Sequence, residues 1–349
     1  MPKPLSSSRP PGRARRRASG FRLSAAAAAG LAGLGLGLLP APAQAVQAVP
    51  LSGPQGGDCL TSARGAVPAP GARGWETGWD PVWHHPVDTV SISPTEQAAI
   101  ERATDVRLAQ RREGAAGLGS QQGPASGASV TIPVYVHVMR GRDGGGNVTD
   151  RQIRRQVAVL DRAYWGAGGS GAAADTGFRF RLAGVDRFRN DQWHQDERSA
   201  RYRAQTREGG SAALNLWYVD FDYLGVATFP WDYEDRPALD GVRVNYRAAP
   251  GGEAGDYDQG KTAVHEVGHW LGLYHTFQGG CSRRNDEVAD TPAESGPANG
   301  CPQGRDSCDL PGTDPVHNYM DYSTDRCYER FSPGQVDRMD RLWDAYRAG

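Results

Sequence analysis

Apolar and polar residues alternate from Val130 to Val138, with Val130, Ile132, Val134, Val136 and Val138 on one face; this period of two predicts a β-strand. After the loop Asp143-Gly144-Gly145-Gly146-Asn147 the period changes. Thr149 followed three residues later by Gln152 is a capping-box signature, and Ile153, Val157, Leu160 and Tyr164 recur at helical spacing, so a helix is expected over 150–164. Alternation at Phe178, Phe180 and Leu182 predicts a second strand, and the apolar runs 214–219 and 242–246 predict two more, with a Pro/Trp/Tyr-rich loop at 229–239 between them. Helices are expected at 261–273, through Val264, Val267, Trp270 and Leu271, and from Pro333 to Tyr346, through Val336, Met339, Leu342, Trp343 and Tyr346. Residues 94–112 read as a further helix whose apolar face, Ile100, Val106 and Leu108, is thin. The stretch 277–325 has almost no periodicity, and a loop of that size in a compact domain needs cross-links to hold it.

These elements make one α+β domain over 129–349, long enough to bury its own core. Residues 46–82 are Pro/Gly/Ala-rich and 114–128 are Gly/Ser/Ala/Gln-rich, so 46–128 is expected to be a pro-segment and linker. Residues 1–45 have the layout of an export signal: Arg13, Arg15, Arg16 and Arg17, an apolar Ala/Leu/Gly stretch at 24–39, then Ala43-Gln44-Ala45. The apolar stretch is shorter than the roughly 20 residues a membrane-spanning helix requires. The expectation is a secreted chain without a membrane anchor, by the general or the twin-arginine export route. A formal net charge of −1, with basic residues otherwise mixed among acids, argues against nucleic acid as a partner.

The densest chemistry lies at His265-Glu266-Val267-Gly268-His269, followed by Gly272 and His275. His265 and His269 are four apart, so on a helix both project from one face toward a single metal ion. Gly272 can take the left-handed conformation that ends a helix, which lets the chain turn and bring in His275 as third ligand. Three protein ligands leave a fourth position open, the mark of a catalytic zinc site. Glu266 is placed to act as general base, and peptides or proteins are the expected substrates. A catalytically silent, secreted zinc-binding adhesion module on the same fold is the alternative. His317, just before residues 318–322, reads as a residue behind the site or on the surface and not as a fourth ligand, which would close the open position; His137 and His194 have no partner spacing and read as structural or exposed.

Of the five cysteines, Cys281, Cys301, Cys308 and Cys327 crowd behind the histidine motif. In an exported chain they predict two disulfides, and spacing alone leaves three pairings open. Cys59 stands alone in the N-terminal segment. An unpaired thiol there could ligate the metal and keep a precursor latent; an incidental thiol or an intermolecular disulfide are the alternatives. His84-His85 offers a competing metal-binding pair.

The extended histidine motif resembles the metzincin clan of zinc endopeptidases, and Asn318-Tyr319-Met320-Asp321-Tyr322 looks like its Met-turn. Within the clan, residues 270–277, the segment Asp290-Thr291-Pro292-Ala293-Glu294 and the four clustered cysteines are similar to the pappalysin (cytophagalysin-like, M43-type) family. The resemblance covers roughly 130–345. It implies a twisted sheet and active-site helix above an irregular, disulfide-linked lower part with a C-terminal helix. It further implies His265, His269 and His275 as zinc ligands, Glu266 as base, Met320 as the apolar floor and Tyr322 as a group turned toward the reaction intermediate. The pairing it implies is Cys281–Cys308 and Cys301–Cys327. It also suggests calcium, with Asp286, Asp290 and Thr291 as oxygen donors. A monomer is expected.

Overall fold

The structure, a computed structural model, describes residues 92–117, 129–167 and 173–348. The export signal expected at 1–45, most of the pro-segment, Cys59 and His84-His85 lie outside the described residues. A sheet in the order β2-β1-β3-β5-β4 is the frame: β1 (Val130–Arg140), β2 (Phe178–Arg189), β3 (Leu214–Val219), β4 (Gly225–Ala227) and β5 (Val242–Asn245). The first four strands of that order run parallel, and only β4, at the edge, is antiparallel to its neighbour β5.

The alternation in β1 puts its aliphatic side chains on one face of the sheet. Ile132, Val134, Val136 and Val138 are fully buried against α2 (Asp150–Tyr164) through Ile153, Leu160 and Tyr164. The capping box is present: Thr149 accepts from the Gln152 N–H, and the Gln152 side chain accepts from the Thr149 N–H. On the opposite face Met139, Tyr202, Trp217 and Val219 form a smaller cluster. It is closed by the short helices α3 (Asp191–His194) and α4 (Ser199–Thr206). Both lone histidines prove structural here. His137 Nε2 bonds Asn215 Oδ1 at 2.9 Å and His194 Nδ1 bonds the Met139 carbonyl at 2.9 Å, both buried.

The helix that carries His265 and His269, α5 (Lys261–Trp270), packs beside α2. Buried Gln156 donates to the Gly260 carbonyl (2.8 Å) and Tyr164 to the Val264 carbonyl (3.0 Å), which pins the start of α5 to the core. Below it, residues 271–332 have only isolated bridges, Gly300 with Ser323 and Asn318 with Arg330. Disulfides join Cys281 to Cys308 and Cys301 to Cys327, 27 and 26 residues apart. Closing loops of that length removes about 3–4 kcal/mol of unfolded-chain entropy each. The C-terminal helix, α6 (Pro333–Tyr346), starts on a second capping box at Ser332 and Gln335.

The helix expected over 94–112 is α1 (Pro94–Gly117), and it is docked on the domain through polar contacts. Glu101 lies between Arg338 (2.9 Å) and Arg341 (2.6 Å), Arg107 donates to the Ala345 carbonyl (2.6 Å), and Gln97 to the Asn285 carbonyl (3.3 Å). These pairs explain why a thin apolar face suffices. Three further differences from the sequence expectation have local causes. The strand expected over 178–182 extends to Arg189, because it pairs with the whole of β1 through a bulge at Val134/Tyr135. The run 242–246 stops at Asn245, whose side chain accepts from the Arg247 N–H and starts a 3₁₀ turn. The helix expected over 261–273 ends at Trp270 because the backbone reverses at Gly272.

Candidate active site

That reversal builds the site. Gly272 has φ +100°, with its N–H on the His269 carbonyl (2.8 Å) and the Leu273 N–H on the Gly268 carbonyl (2.9 Å), the two bonds of a Schellman cap. The side of Gly272 is filled by Leu342, so a Cβ there would clash as well as strain the backbone. Two arginines complete the cap: Arg347 donates to the Trp270 carbonyl (2.8 Å) and Arg338 to the Gly272 carbonyl (3.0 Å), cations at the negative end of the helix. Arg347 is fully buried, paired with Asp240 at 3.1 Å and lying 3.6 Å over the Trp270 ring.

The turn brings His275 back beside the helix. His269 Nε2 lies 3.1 Å from His265 Nε2 and 3.1 Å from His275 Nε2, all three rings buried. His265 Nδ1 is 2.7 Å from the Tyr319 carbonyl and His269 Nδ1 is 2.8 Å from the Leu273 carbonyl. A carbonyl only accepts, so each Nδ1 carries the proton and each Nε2 offers a lone pair to the shared centre. Lone pairs do not converge in a buried space without a cation between them. Tetrahedral zinc with N ligands at about 2.05 Å would set its imidazole nitrogens roughly 3.3 Å apart, close to the spacing present. The donor set therefore fits a metal ion.

Glu266, on the same helix, is buried and lies against β4: a Cβ at Gly225 would stand 2.5 Å from its Cγ and from Oε1. Gly225 is thus part of the site, and nothing in its sequence context announces this. Met320 is fully buried beside α5, and its Sδ occupies the space a side chain at position 268 would need. Gly268 inside the histidine motif is explained by that approach. The turn is held by Asn318, whose Oδ1 accepts from the Met320 N–H (2.9 Å), and by Asp321, which accepts from the Ala298 (2.9 Å) and Tyr322 (2.7 Å) N–H groups.

The Tyr322 ring packs edge-on to His275 (4.9 Å) and Phe277 (4.8 Å), and Phe277 stacks on His275 at 4.7 Å. Phe229, in the segment expected as an aromatic loop, packs edge-on to His269 at 5.4 Å. Thr276 ties His275 to the lower part, donating through its N–H to the Met320 carbonyl (3.1 Å) and through Oγ1 to Glu294 (2.6 Å). Burial pushes the Glu294 and Asp321 carboxyls up, and each also lies in the field of buried acids; Arg305 bridges Glu294 and Asp314 at 2.8 Å.

Of the three residues suggested for calcium, the structure brings two together. Asp286 Oδ1 accepts from Thr291 Oγ1 (2.7 Å) and the Val288 N–H (3.2 Å), while Oδ2 is buried without a hydrogen-bond partner among the described residues. Burial pushes its pKa up to about 7, which an adjacent cation would relieve. Asp290 instead turns to the start of α6, accepting from Ser332 Oγ (2.6 Å) and the Gly334 N–H (2.8 Å). A helix N-terminus attracts the carboxylate away from that cluster. His317 bonds the Cys327 carbonyl at 2.7 Å, outside the histidine cluster.

Residues 221–344 match the family model described as Pregnancy-associated plasma protein-A, peptidase family M43. An extracellular metalloprotease of Arthroderma benhamiae is 42% identical over 231 residues, 64% of this chain and 75% of that protein. One of Pyricularia oryzae is 40% identical over 264 residues, 73% of this chain and 88% of that protein. Among solved structures, Tannerella forsythia promirolysin superposes with a TM-score of 0.57 at 29% identity, covering 72% of this chain and 92% of that one. With the fold, the histidine cluster and these relatives in agreement, the chain belongs to the pappalysin-like M43 family of metzincin metallopeptidases.

Proposed function

We propose that this chain is a secreted, zinc-dependent endopeptidase that hydrolyses internal peptide bonds of proteins and is made as a latent precursor. The observation that carries the reading is the convergence of His265, His269 and His275 through Nε2, next to the carboxylate of Glu266. Zinc held by these imidazoles would supply Lewis acidity, lowering the pKa of a water toward 7 and polarising the scissile carbonyl.

The chain's own groups do the rest. Glu266 accepts the proton of the attacking water, holds it between its oxygens, and delivers it to the nitrogen of the leaving amine. Tyr322, buried beside His265 and His275, supplies a hydroxyl to donate to the developing oxyanion; one such donor is typically worth about 2.7–4 kcal/mol. β4 is an edge strand running past Glu266, so an extended substrate can add to the sheet there and present its backbone at a fixed height over the site. Met320 keeps the floor apolar. Asp286 with Thr291 is the proposed calcium position, away from the chemistry. Cys59, outside the described residues, is the proposed latency ligand.

The test is cleavage of denatured casein by the processed protein, abolished by 1,10-phenanthroline and by Glu266→Gln. Turnover by a Glu266→Gln protein that still holds zinc would refute the assignment of the base.

A further inference from the structure

We propose that Glu101 of α1 is a positioning residue of the metal centre: through Arg338 it holds the turn 272–275 that presents His275. The proposal rests on the endopeptidase reading above and deepens it, because it places a residue ahead of β1 among the groups the reaction needs.

The turn is a small target that governs two ligands. Its last residue is His275, and its Leu273 carbonyl accepts from His269 Nδ1 at 2.8 Å. A shift of residues 272–274 therefore moves one ligand and re-aims another. On one side the Thr276 N–H holds the segment to the Met320 carbonyl at 3.1 Å. On the other side the hold is Arg338. Its Nε donates to the Gly272 carbonyl at 3.0 Å, and its guanidinium lies 4.6 Å over the ring of Tyr274, the residue just before His275. One flat cation thus fixes the start of the turn by a hydrogen bond and its end by an aromatic face.

Glu101 keeps that cation in place. The Arg338 side chain is only 4% exposed, and a buried guanidinium without a counter-ion is costly. Glu101 Oε1 stands 2.9 Å from Arg338, and Oε2 stands 2.6 Å from Arg341. Burial by itself would push the Glu101 carboxyl up, but the two guanidiniums outweigh it and hold it below the usual carboxylate range, so the pair is ionised. Asp286 also lies in the field of Arg338. Without Glu101 the guanidinium is drawn off Gly272, toward Asp286 or toward water.

A second contact grips the same segment beyond the ligand. Ile92, two residues ahead of α1, is buried against Tyr274 and Phe229, and its carbonyl accepts from Gln278 Nε2 at 2.5 Å. Residues 92–101 therefore hold the chain on both sides of His275. Farther along α1 the docking is of another kind. Arg107 donates to the Ala345 carbonyl at 2.6 Å, pairs with Glu234 and lies 5.1 Å over the Tyr346 ring. None of these groups belongs to the turn, so Arg107 separates the docking of α1 from the positioning of His275.

The experiment compares the processed protein with its Glu101→Ala and Arg107→Ala variants. Three quantities are read: zinc affinity against a competing chelator, the visible spectrum of the cobalt(II)-substituted form, and kcat/KM on a fluorogenic peptide. Partners just behind metal ligands are worth roughly 10–100-fold in affinity or activity, and Glu101, one step farther out, is expected at the lower end. Glu101→Ala should thus bind zinc about tenfold more weakly, shift the cobalt bands and lower kcat/KM about tenfold. Arg107→Ala should lower the melting temperature and leave all three quantities unchanged. Glu101→Ala combined with Arg338→Met should lose no more zinc affinity than Arg338→Met alone, since the carboxylate acts through that arginine. If Glu101→Ala does not fold, Glu101→Gln, which keeps the shape and removes the charge, is read in the same way. Unchanged zinc affinity and cobalt spectrum in the Glu101 variant, equal losses in the Arg107 variant, or additive losses in the double variant overturn the proposal. So does a fully active processed protein whose N-terminus, by mass spectrometry, lies beyond residue 101. A wild-type protein that binds zinc and cleaves no peptide overturns the endopeptidase reading instead, while the zinc and cobalt measurements still decide the role of Glu101.

Discussion

Replacing Gly225 with alanine adds one methyl group to an edge strand, and the structure says where that methyl goes. It would stand 2.5 Å from Cγ and Oε1 and 2.7 Å from Cδ of Glu266, where ordinary van der Waals contact needs at least 3.4 Å. Gly225 does not have a positive φ, so alanine causes no backbone strain and the whole effect falls on the glutamate. Glu266 sits on a helix pinned by Gln156 and Tyr164, so the side chain, and not the helix, must yield by about 1 Å. A displacement of about 1 Å of a reacting group can cost roughly 10²-fold in rate, equivalent to about 2.7 kcal/mol of transition-state stabilisation. Gly225→Ala is therefore expected to lower kcat/KM about a hundredfold on a fluorogenic peptide while binding zinc in full, since no histidine is touched. Activity within threefold of wild type would refute the placement of Glu266 against β4. A parallel loss of zinc would show that the strand supports the histidines instead.

The remaining predictions concern the supports. Arg347→Met removes one side of a buried ion pair and a cap on α5, and is expected to cost about 3 kcal/mol in urea denaturation; a loss under 1 kcal/mol would mean that Asp240 is satisfied without it. Asp286 has a folded-state pKa of about 7 against 3.8 for the unfolded chain, so the stability it contributes is present below pH 4 and lost as pH rises through 7, roughly 4 kcal/mol in all. The melting temperature of metal-stripped protein should then fall from pH 5 to 8, Asp286→Asn should flatten that fall, and millimolar calcium should reverse it in the wild type alone. An unchanged slope in Asp286→Asn would count against this account. Cys59→Ala should give a precursor as active as the processed enzyme; a fully latent variant would exclude the thiol as the latency ligand.

The parts of this molecule legible in its sequence are those where one face of an element is buried and periodicity survives. β1 alternates through Ile132, Val134, Val136 and Val138, and α2 carries both its cap and its stripe, so both are read from residues alone. The histidine motif was legible because its ligands are local: four residues on a helix, a glycine and a sharp return. Gly225 was not, because β4 is three residues long and its meaning depends on a contact with position 266. Arg338 and Arg347 look in sequence like exposed positions of a terminal helix, yet both end on carbonyls near the close of α5. The lower part carries no period at all. Its order comes from buried acids such as Asp321 and Glu294, which accept from Ala298 and Thr276, 23 and 18 positions away, and from two disulfides whose pairing needed the family resemblance. Asp290, suggested as a calcium donor, accepts from Ser332 and Gly334 at the start of α6, a partnership its sequence spacing does not announce.

The central claim is that three imidazoles share one metal ion, and metal analysis of the processed protein and its single-histidine variants tests it most directly. The account predicts about one zinc per chain in the wild type and near none in His265→Ala, His269→Ala or His275→Ala, with each variant still folded by circular dichroism. Full zinc in a folded His275→Ala protein, or no zinc in the wild type under zinc-replete conditions, would contradict it.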